Sequence, residues 1–316
     1  MNVVEGLDNA NLTESRCILT IGNFDGVHRG HQRILAIGRQ KADDRGVPLV
    51  VMTFEPHPLA ILNPANPPRR IASVEGKLEQ LQACGVDCVV IAKSRPELLQ
   101  IEAVAFIESV IVARFHPVAI VEGFNFGFGK GRTGSGETLK EFAGKWDYEV
   151  ELVEPFNQTL TGGDMGDGEV TRTSSSLIRR LITEGRVSEA ADGLGRPFSL
   201  DGPVVEGSKR GRTIGFPTAN LAISDQIIPA DGVYAGRVAI DGTEKKCAIS
   251  IGSTPTFDGH VQQVEAHVLD FDGDLYGQHL KLEFIEHVRE QTKFSSIDAL
   301  VNQIKTDVEF VRNLQY

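Results

Sequence analysis

The chain has 316 residues, 41% of them hydrophobic and 24% charged, and a formal net charge of -11. That length favours two domains of ordinary size, each with a core of its own. The acidic balance, with no Lys/Arg-rich block to offset it, speaks against nucleic acid as a main partner but leaves nucleotide binding open.

No run approaches the roughly 18 apolar residues that a membrane-spanning helix needs. Met1 to Glu14 is polar and acidic, without the basic-then-apolar order of a signal peptide. The cysteines, Cys17, Cys84, Cys88 and Cys247, are sparse and lie among apolar residues. They read as buried, reduced thiols, neither disulfides nor zinc ligands, and predict a cytoplasmic location.

Cys17 to Gly22 is strand-like and leads through a Gly-rich turn into a helix from about His31. Further apolar runs follow at Pro48 to Phe54, Val86 to Ala92, Pro117 to Glu122 and Tyr148 to Glu154. Helical patterns fill the gaps at Val74 to Ala83, Ile101 to Phe115 and Glu137 to Trp146. Apolar strands alternating with helices predict a doubly wound parallel sheet, an α/β domain whose ligands sit beyond the carboxyl ends of the strands. Thr159 to Gly168, with four glycines and two aspartates, reads as a mobile loop.

The character changes after about Gly185. Helical patterns at Ser174 to Glu184 and Val187 to Leu194 precede β-rich sequence. Val233 to Ile240 and Lys246 to Ile251 flank Asp241-Gly242, a hairpin signal. Val264 to Phe271 and His279 to Phe284 flank a second turn, Asp272-Gly273-Asp274. Strands joined by hairpins predict an antiparallel sheet or small barrel. A terminal amphipathic helix, Ser296 to Leu314, carries Leu300, Ile304, Val308 and Val311 at helical spacing. The expected domains are 1–182 and 183–316, with no internal repeat or low-complexity segment.

The first chemical constellation runs from Gly22 to His31, where the first strand hands over to the first helix. Small residues there let backbone N–H groups and a helix N-terminus approach a polyphosphate. His28 and His31 can donate hydrogen bonds to phosphate oxygens as charge builds and pyrophosphate departs. An H-x-x-H pair could instead bind a metal, but there is no adjacent Glu as in H-E-x-x-H and no obvious third ligand.

Asn23 to His31 resembles the H-x-G-H signature of nucleotidylyltransferases, and the fuller G-N-F-D-G-V-H-R-G-H is similar to its form in prokaryotic FAD synthetases. Thr53 to Pro58 resembles that family's second motif, Gly123 to Gly129 its flavin-side loop, and Arg172 to Arg179 the segment that closes over the ATP phosphates. The resemblance implies catalytic roles for His28 and His31. It implies nucleotide binding by Gly22, Asn23, Phe24, Asp25, Gly26, Gly30, Arg172, Ser175, Ser176 and Arg179, and flavin binding by Phe54, Pro56, His57, Pro58, Asn125 and Phe128. Ser174 to Ser176 also read as an ordinary helix N-cap. Many members have Asp and Arg where this chain has Asn125 and Gly127, and Thr in place of Ser176; the first two departures change the charge of the flavin-side loop.

The second constellation, Gly207 to Leu221, interleaves Gly207, Gly211 and Gly215 with Lys209, Arg210 and Arg212. Such a loop can wrap a polyphosphate with its N–H groups inward. Thr218 and Asn220 are neutral oxygen donors two residues apart, suited to Mg2+ beside phosphate oxygens. A basic turn on a barrel is the plain alternative. Gly215 to Asn220 closely resembles the riboflavin kinase core motif G-F-P-T-A-N, and flanking segments at 194–198, 229–234, 252–257 and 264–271 agree with it. The family usually has Arg in place of Thr254. The likeness implies ATP on Gly207, Lys209, Gly211, Arg212, Gly215 and Pro217, Mg2+ on Thr218 and Asn220, and Glu265 as general base. Glu265 alternates with Val264 and Ala266, and a charge on an inward face would be costly unless it served a site.

From about Thr13 to Leu314 the chain thus resembles bifunctional riboflavin kinase/FAD synthetases. The resemblance implies a doubly wound nucleotidylyltransferase domain, then an antiparallel six-stranded β-barrel with a terminal helix. It implies ATP as co-substrate, Mg2+ as cofactor, and riboflavin, FMN and FAD as substrate and products. No nucleic acid or membrane partner is expected, and self-association is left open. Two alternatives stand beside this reading: a riboflavin kinase with a non-catalytic nucleotide-binding N-terminal domain, and a non-catalytic flavin or nucleotide sensor.

Overall fold

The computed structural model describes residues 1–10, 16–160, 168–207, 210–256 and 259–315, which divide into two units. The first comprises Met1–Arg69, Val74–Thr159 and Val170–Thr173, and the second Arg70–Ser73, Leu160–Glu169 and Ser174–Tyr316. Most of the second unit runs from Ser174 onward. The reason is that the helix beginning at Ser175 buries Leu177, Ile178, Leu181 and Ile182 in the core of the second unit.

The first unit contains strands β1 (Asn2–Glu5), β2 (Cys17–Ile21), β3 (Leu49–Glu55), β4 (Cys88–Lys93), β5 (Pro117–Gly123), the short hairpin β6 (Gly127–Phe128) and β7 (Gly134–Ser135), and β8 (Glu149–Val153). Its helices are α1 (Arg29–Arg45), α2 (Pro58–Leu62), α3 (Val74–Ala83), α4 (Pro96–Leu99), α5 (Ala103–Phe106), α6 (Ala113–Phe115) and α7 (Gly136–Trp146). A π-helical stretch, Ile107–Val112, joins α5 to α6. Six strands form a parallel sheet in the order β1-β4-β3-β2-β5-β8.

Alternate strand residues feed two cores, as the two-residue period of a strand requires. Ile18, Val51, Val89 and Val121 pack with Leu35 and Ala42 of α1 and Leu81 of α3. Leu19, Val50, Val90 and Ile120 pack with Phe106, Ile107 and Ile111, and with Leu139 of α7. Strand order reverses direction between β2 and β5, so a ligand crevice belongs at their carboxyl ends. β1 is an addition to the predicted set. Its four mostly exposed residues pair in parallel with β4 at the sheet edge.

Strands β9 (Asn157–Leu160) and β10 (Glu169–Arg172) pair with each other. Thr159 and Leu160, expected in a loop, are therefore strand, while 161–167 lie outside the described residues. In the second unit follow α8 (Ser175–Thr183), α9 (Val187–Leu194), β11 (Phe198–Val205), α10 (Arg210–Thr213), β12 (Ala219–Leu221), β13 (Gly232–Ile240), β14 (Thr243–Thr256), β15 (Gly259–Val268), β16 (His279–Arg289) and α11 (Ile297–Asn313). The six strands close an antiparallel barrel, β11-β12-β15-β14-β13-β16. Leu200, Leu221, Tyr234, Ile249, Val264, Ala266, Leu282 and Phe284 fill its core together with the buried faces of α8 and α9. Val311 of α11 packs instead with Ala235 and Leu269 in a separate, smaller cluster.

Candidate active sites

At the carboxyl end of β2, the chain turns through Gly22 to His28 before α1 begins. Phe24, Gly26 and Val27 all have positive φ, at 48°, 78° and 39°, so the turn folds tightly and buries Phe24 and Val27. His28 is the N-cap of α1, its Nδ1 accepting the His31 N–H at 3.3 Å. An accepting Nδ1 is unprotonated in neutral imidazole, so Nε2–H is the donor His28 has to offer. The His28 and His31 rings stack with centroids 3.7 Å apart, and the Phe24 ring lies 5.0 Å from His31. Gly30 makes this stack possible, because a Cβ there would come within 3.0 Å of the His28 ring. Burial, reinforced by the neighbouring His28, holds the His31 pKa well below its usual value. Its Nδ1 is covered and has no hydrogen-bond partner among the described residues. A stacked imidazole pair at a helix N-terminus, with the buried His31 Nδ1 unsatisfied among the described residues, suits a polyphosphate. Asp25 is buried beside them.

A polar network supports this turn. The Asn23 side-chain Nδ2 lies 3.1 Å from His57 Nε2, and the Asn23 main-chain carbonyl accepts from Thr53 Oγ1 at 3.1 Å. Lys77, 7% exposed, reaches Thr53 Oγ1 at 3.4 Å and Glu55 at 3.6 Å. His57 Nδ1 caps α2 by accepting the Leu59 N–H, and Pro58 is the first residue of that helix. Phe54 packs against the core, and Pro56 follows a cis peptide bond. On the other side of β2, Glu122 of β5 is buried and accepts the Ile21 N–H at 2.5 Å. Burial raises its pKa well above the ordinary carboxylate value, only partly opposed by that hydrogen bond.

The flavin-side loop follows β5. Phe128 is buried between Phe106 and Phe126, with centroids at 5.7 and 5.4 Å, so it anchors the loop. The exposed ring is Phe124, and Arg172 lies over it at 5.6 Å. Asn125 is exposed. Ser174 caps α8 by accepting the Leu177 N–H, and Ser175 and Ser176 follow in the first turn. Arg179 is one turn further on. These three residues belong to the second unit, and Arg172 to the first.

On the barrel, β12 pairs with β15 so that Asn220 stands opposite Glu265, and β14 places Ser250 on the other side of Glu265. Val264 and Ala266 fill the barrel core, so Glu265 faces outward, half-buried, where an inward face had been considered. Thr218 Oγ1 donates to Glu265 Oε2 at 3.1 Å, which leaves the hydroxyl's lone pairs for a cation. Two glycines make room for these donors: a Cβ at Gly207 would overlap the Asn220 amide, and one at Gly211 would overlap the Phe216 carbonyl. Gly215 has φ 88°. His267 Nδ1–H donates to the Pro217 carbonyl at 2.8 Å, tying β15 to the loop. Arg212 is exposed on α10, and Lys209 lies outside the described residues.

Glu122, Lys77 and Ser250 escaped the sequence reading. A signal existed for Glu122, an acid closing the apolar run Val118 to Val121. None existed for Lys77, whose role depends on where α3 lays it against β3.

The four cysteines are free thiols; Cys17, Cys88 and Cys247 are buried, whereas Cys84 is only half-buried. Among the described residues no helix is long and apolar enough to cross a membrane.

Comparison with known proteins gives the family. Residues 10–162 match the FAD synthetase family model, and 194–315 match the riboflavin kinase model. The bifunctional riboflavin kinase/FMN adenylyltransferase of Haemophilus influenzae is 36% identical over 98% of this chain and 97% of its own length. Its namesake in Listeria monocytogenes is 34% identical over 95% and 93%. A crystal structure of a Streptococcus pneumoniae protein named as a macrolide-efflux protein superposes with a TM-score of 0.85 at 31% identity, covering 100% of both chains. The chain belongs to the family of bifunctional riboflavin kinase/FMN adenylyltransferases.

Proposed function

We propose that the two units divide two consecutive ATP-consuming steps, with the barrel phosphorylating riboflavin to FMN and the sheet unit adenylylating FMN to FAD. In the barrel, Glu265 takes the proton of the terminal ribityl hydroxyl as its oxygen attacks the γ-phosphorus and the bond to ADP breaks. Thr218 holds the carboxylate in place. The donor set fits Mg2+, since Thr218 and Asn220 offer neutral hard oxygens beside a carboxylate. Bound there, the ion would neutralise phosphate charge. Gly207, Gly211, Gly215, Arg212 and Pro217 form the wall for ATP.

In the sheet unit, a phosphate oxygen of FMN attacks the α-phosphorus of ATP and pyrophosphate leaves. His28 and His31, neutral at the head of α1, donate to the phosphate oxygens as charge builds. Asn23, held by His57 and Thr53, keeps the turn open to the nucleotide. Flavin and ATP are the partners, and free thiols support a reducing, cytoplasmic setting.

The observation that carries this reading is that Glu265 accepts from Thr218, just ahead of β12, and stands opposite Asn220 across the β12–β15 pairing, so one carboxylate meets both neutral donors. Glu265→Gln should cut FMN formation by about 100-fold or more, the usual worth of a general base, and leave adenylylation of supplied FMN intact. His28→Asn, which keeps a capping side chain, should do the reverse. Chromatographic separation of the flavins reads both. A Glu265→Gln protein that phosphorylated riboflavin at the wild-type rate would remove the base assignment.

A further inference from the structure

Arg132 stands in an unusual backbone state on the flavin-side loop. Its φ is 58°, the left-handed region that a bulky residue enters only where its surroundings hold it there. Gly129 and Gly131, at 71° and 62°, share that region at no steric cost. The resulting turn carries the Arg132 guanidinium back over Gly127. A Cβ at Gly127 would lie 3.0 Å from Nη2, 3.1 Å from Nε and 3.2 Å from Cζ. Nη2 donates to the Asn125 carbonyl at 3.4 Å, and among the described residues no carboxylate pairs with this arginine. The glycine at 127 and the arginine at 132 are thus one arrangement, in which the missing side chain leaves the space that the guanidinium occupies.

The loop borders the first site. A Cβ at Gly123 would touch both Asn125 Oδ1 and Ile34 Cδ1 at 3.5 Å, and Ile34 is three residues beyond His31 on α1. Arg172, over Phe124, brings a second guanidinium to the same loop. In a chain of net charge -11, an anionic flavin needs local cations. A guanidinium fork, with most of its N–H groups unspent, matches a phosphate.

We propose that Arg132 binds the phosphate of FMN during adenylylation, its guanidinium lying in the space that Gly127 leaves open. This rests on the reading that the sheet unit adenylylates FMN. Arg132→Gly is the informative variant, because glycine relaxes the left-handed backbone, so a loss cannot be charged to misfolding. We expect its KM for FMN to rise tenfold or more, with the KM for ATP and the rate of riboflavin phosphorylation within twofold of wild type. The exchange Gly127→Arg with Arg132→Gly should recover most of the loss.

An unchanged KM for FMN, an equal rise in the KM for ATP, or an exchange that restores nothing would each overturn the assignment. A wild-type chain that formed no FAD would instead sink the adenylylation reading itself. Titration of FMN by its fluorescence would then decide for Arg132: tenfold weaker binding by Arg132→Gly supports it, and unchanged binding refutes it.

Discussion

His31 and Glu122 flank the same turn and are both kept from their charged forms by burial, which gives the fold two opposite responses to pH. The His31 pKa in the folded state lies below its ordinary 6.5, so the unfolded chain binds the extra proton as pH falls. Its contribution is therefore fully present above pH 6.5 and is lost as pH falls towards the folded value. Glu122 behaves in the opposite sense. Its folded pKa lies above the ordinary 4.5, so its contribution is complete below pH 4.5 and is lost as pH rises through the folded value. Glu122→Gln keeps an acceptor for the Ile21 N–H and removes the ionisable group. Thermal unfolding should show this variant gaining on wild type at pH 8 and losing that gain towards pH 5. An equal effect at both values would mean that the carboxyl is not held neutral.

Among elements, the glycine-lined approach to β12 fixes where Thr218 and Asn220 stand. Gly211→Ala would drive a methyl group into the Phe216 carbonyl, displacing the segment that presents Thr218 to Glu265. Riboflavin phosphorylation should fall at least tenfold, a misplacement of about 1 Å being enough for more than that, while adenylylation of FMN is unaffected. Equal loss of both activities in steady-state assays would point to general unfolding instead. Much at this scale was legible in advance. Val74–Ala83 and Val187–Leu194 form the helices that their spacing predicts, because an apolar stripe of period 3.6 has one way to bury itself. β1 was not legible, since four residues at a sheet edge carry no buried face of their own. Barrel strands such as β14, Thr243–Thr256, outrun the apolar segment Lys246 to Ile251, because pairing continues where the side chains turn polar. The outward face of Glu265 is likewise set by closure of the barrel.

For the whole molecule, the sequence motifs mark candidate sites in two separate units, and the structure adds side chains that the motifs omit. His28, His31, Thr218 and Asn220 stand out as candidates in the sequence because each sits in a short string with glycines, and Glu265 because it is a charge between apolar strand residues. Lys77, Glu122 and Arg132 were not, because their relevance depends on partners brought close by folding: Thr53 for Lys77, Ile21 for Glu122, and Gly127 for Arg132. The central claim is that one chain carries both activities, despite Asn125 and Gly127 in its flavin-side loop. The most direct measurement supplies purified protein with riboflavin, ATP and Mg2+ and follows the separated flavins over time. FMN rising first and FAD following is the predicted result. FMN accumulating without FAD, even when FMN is supplied directly, would contradict it.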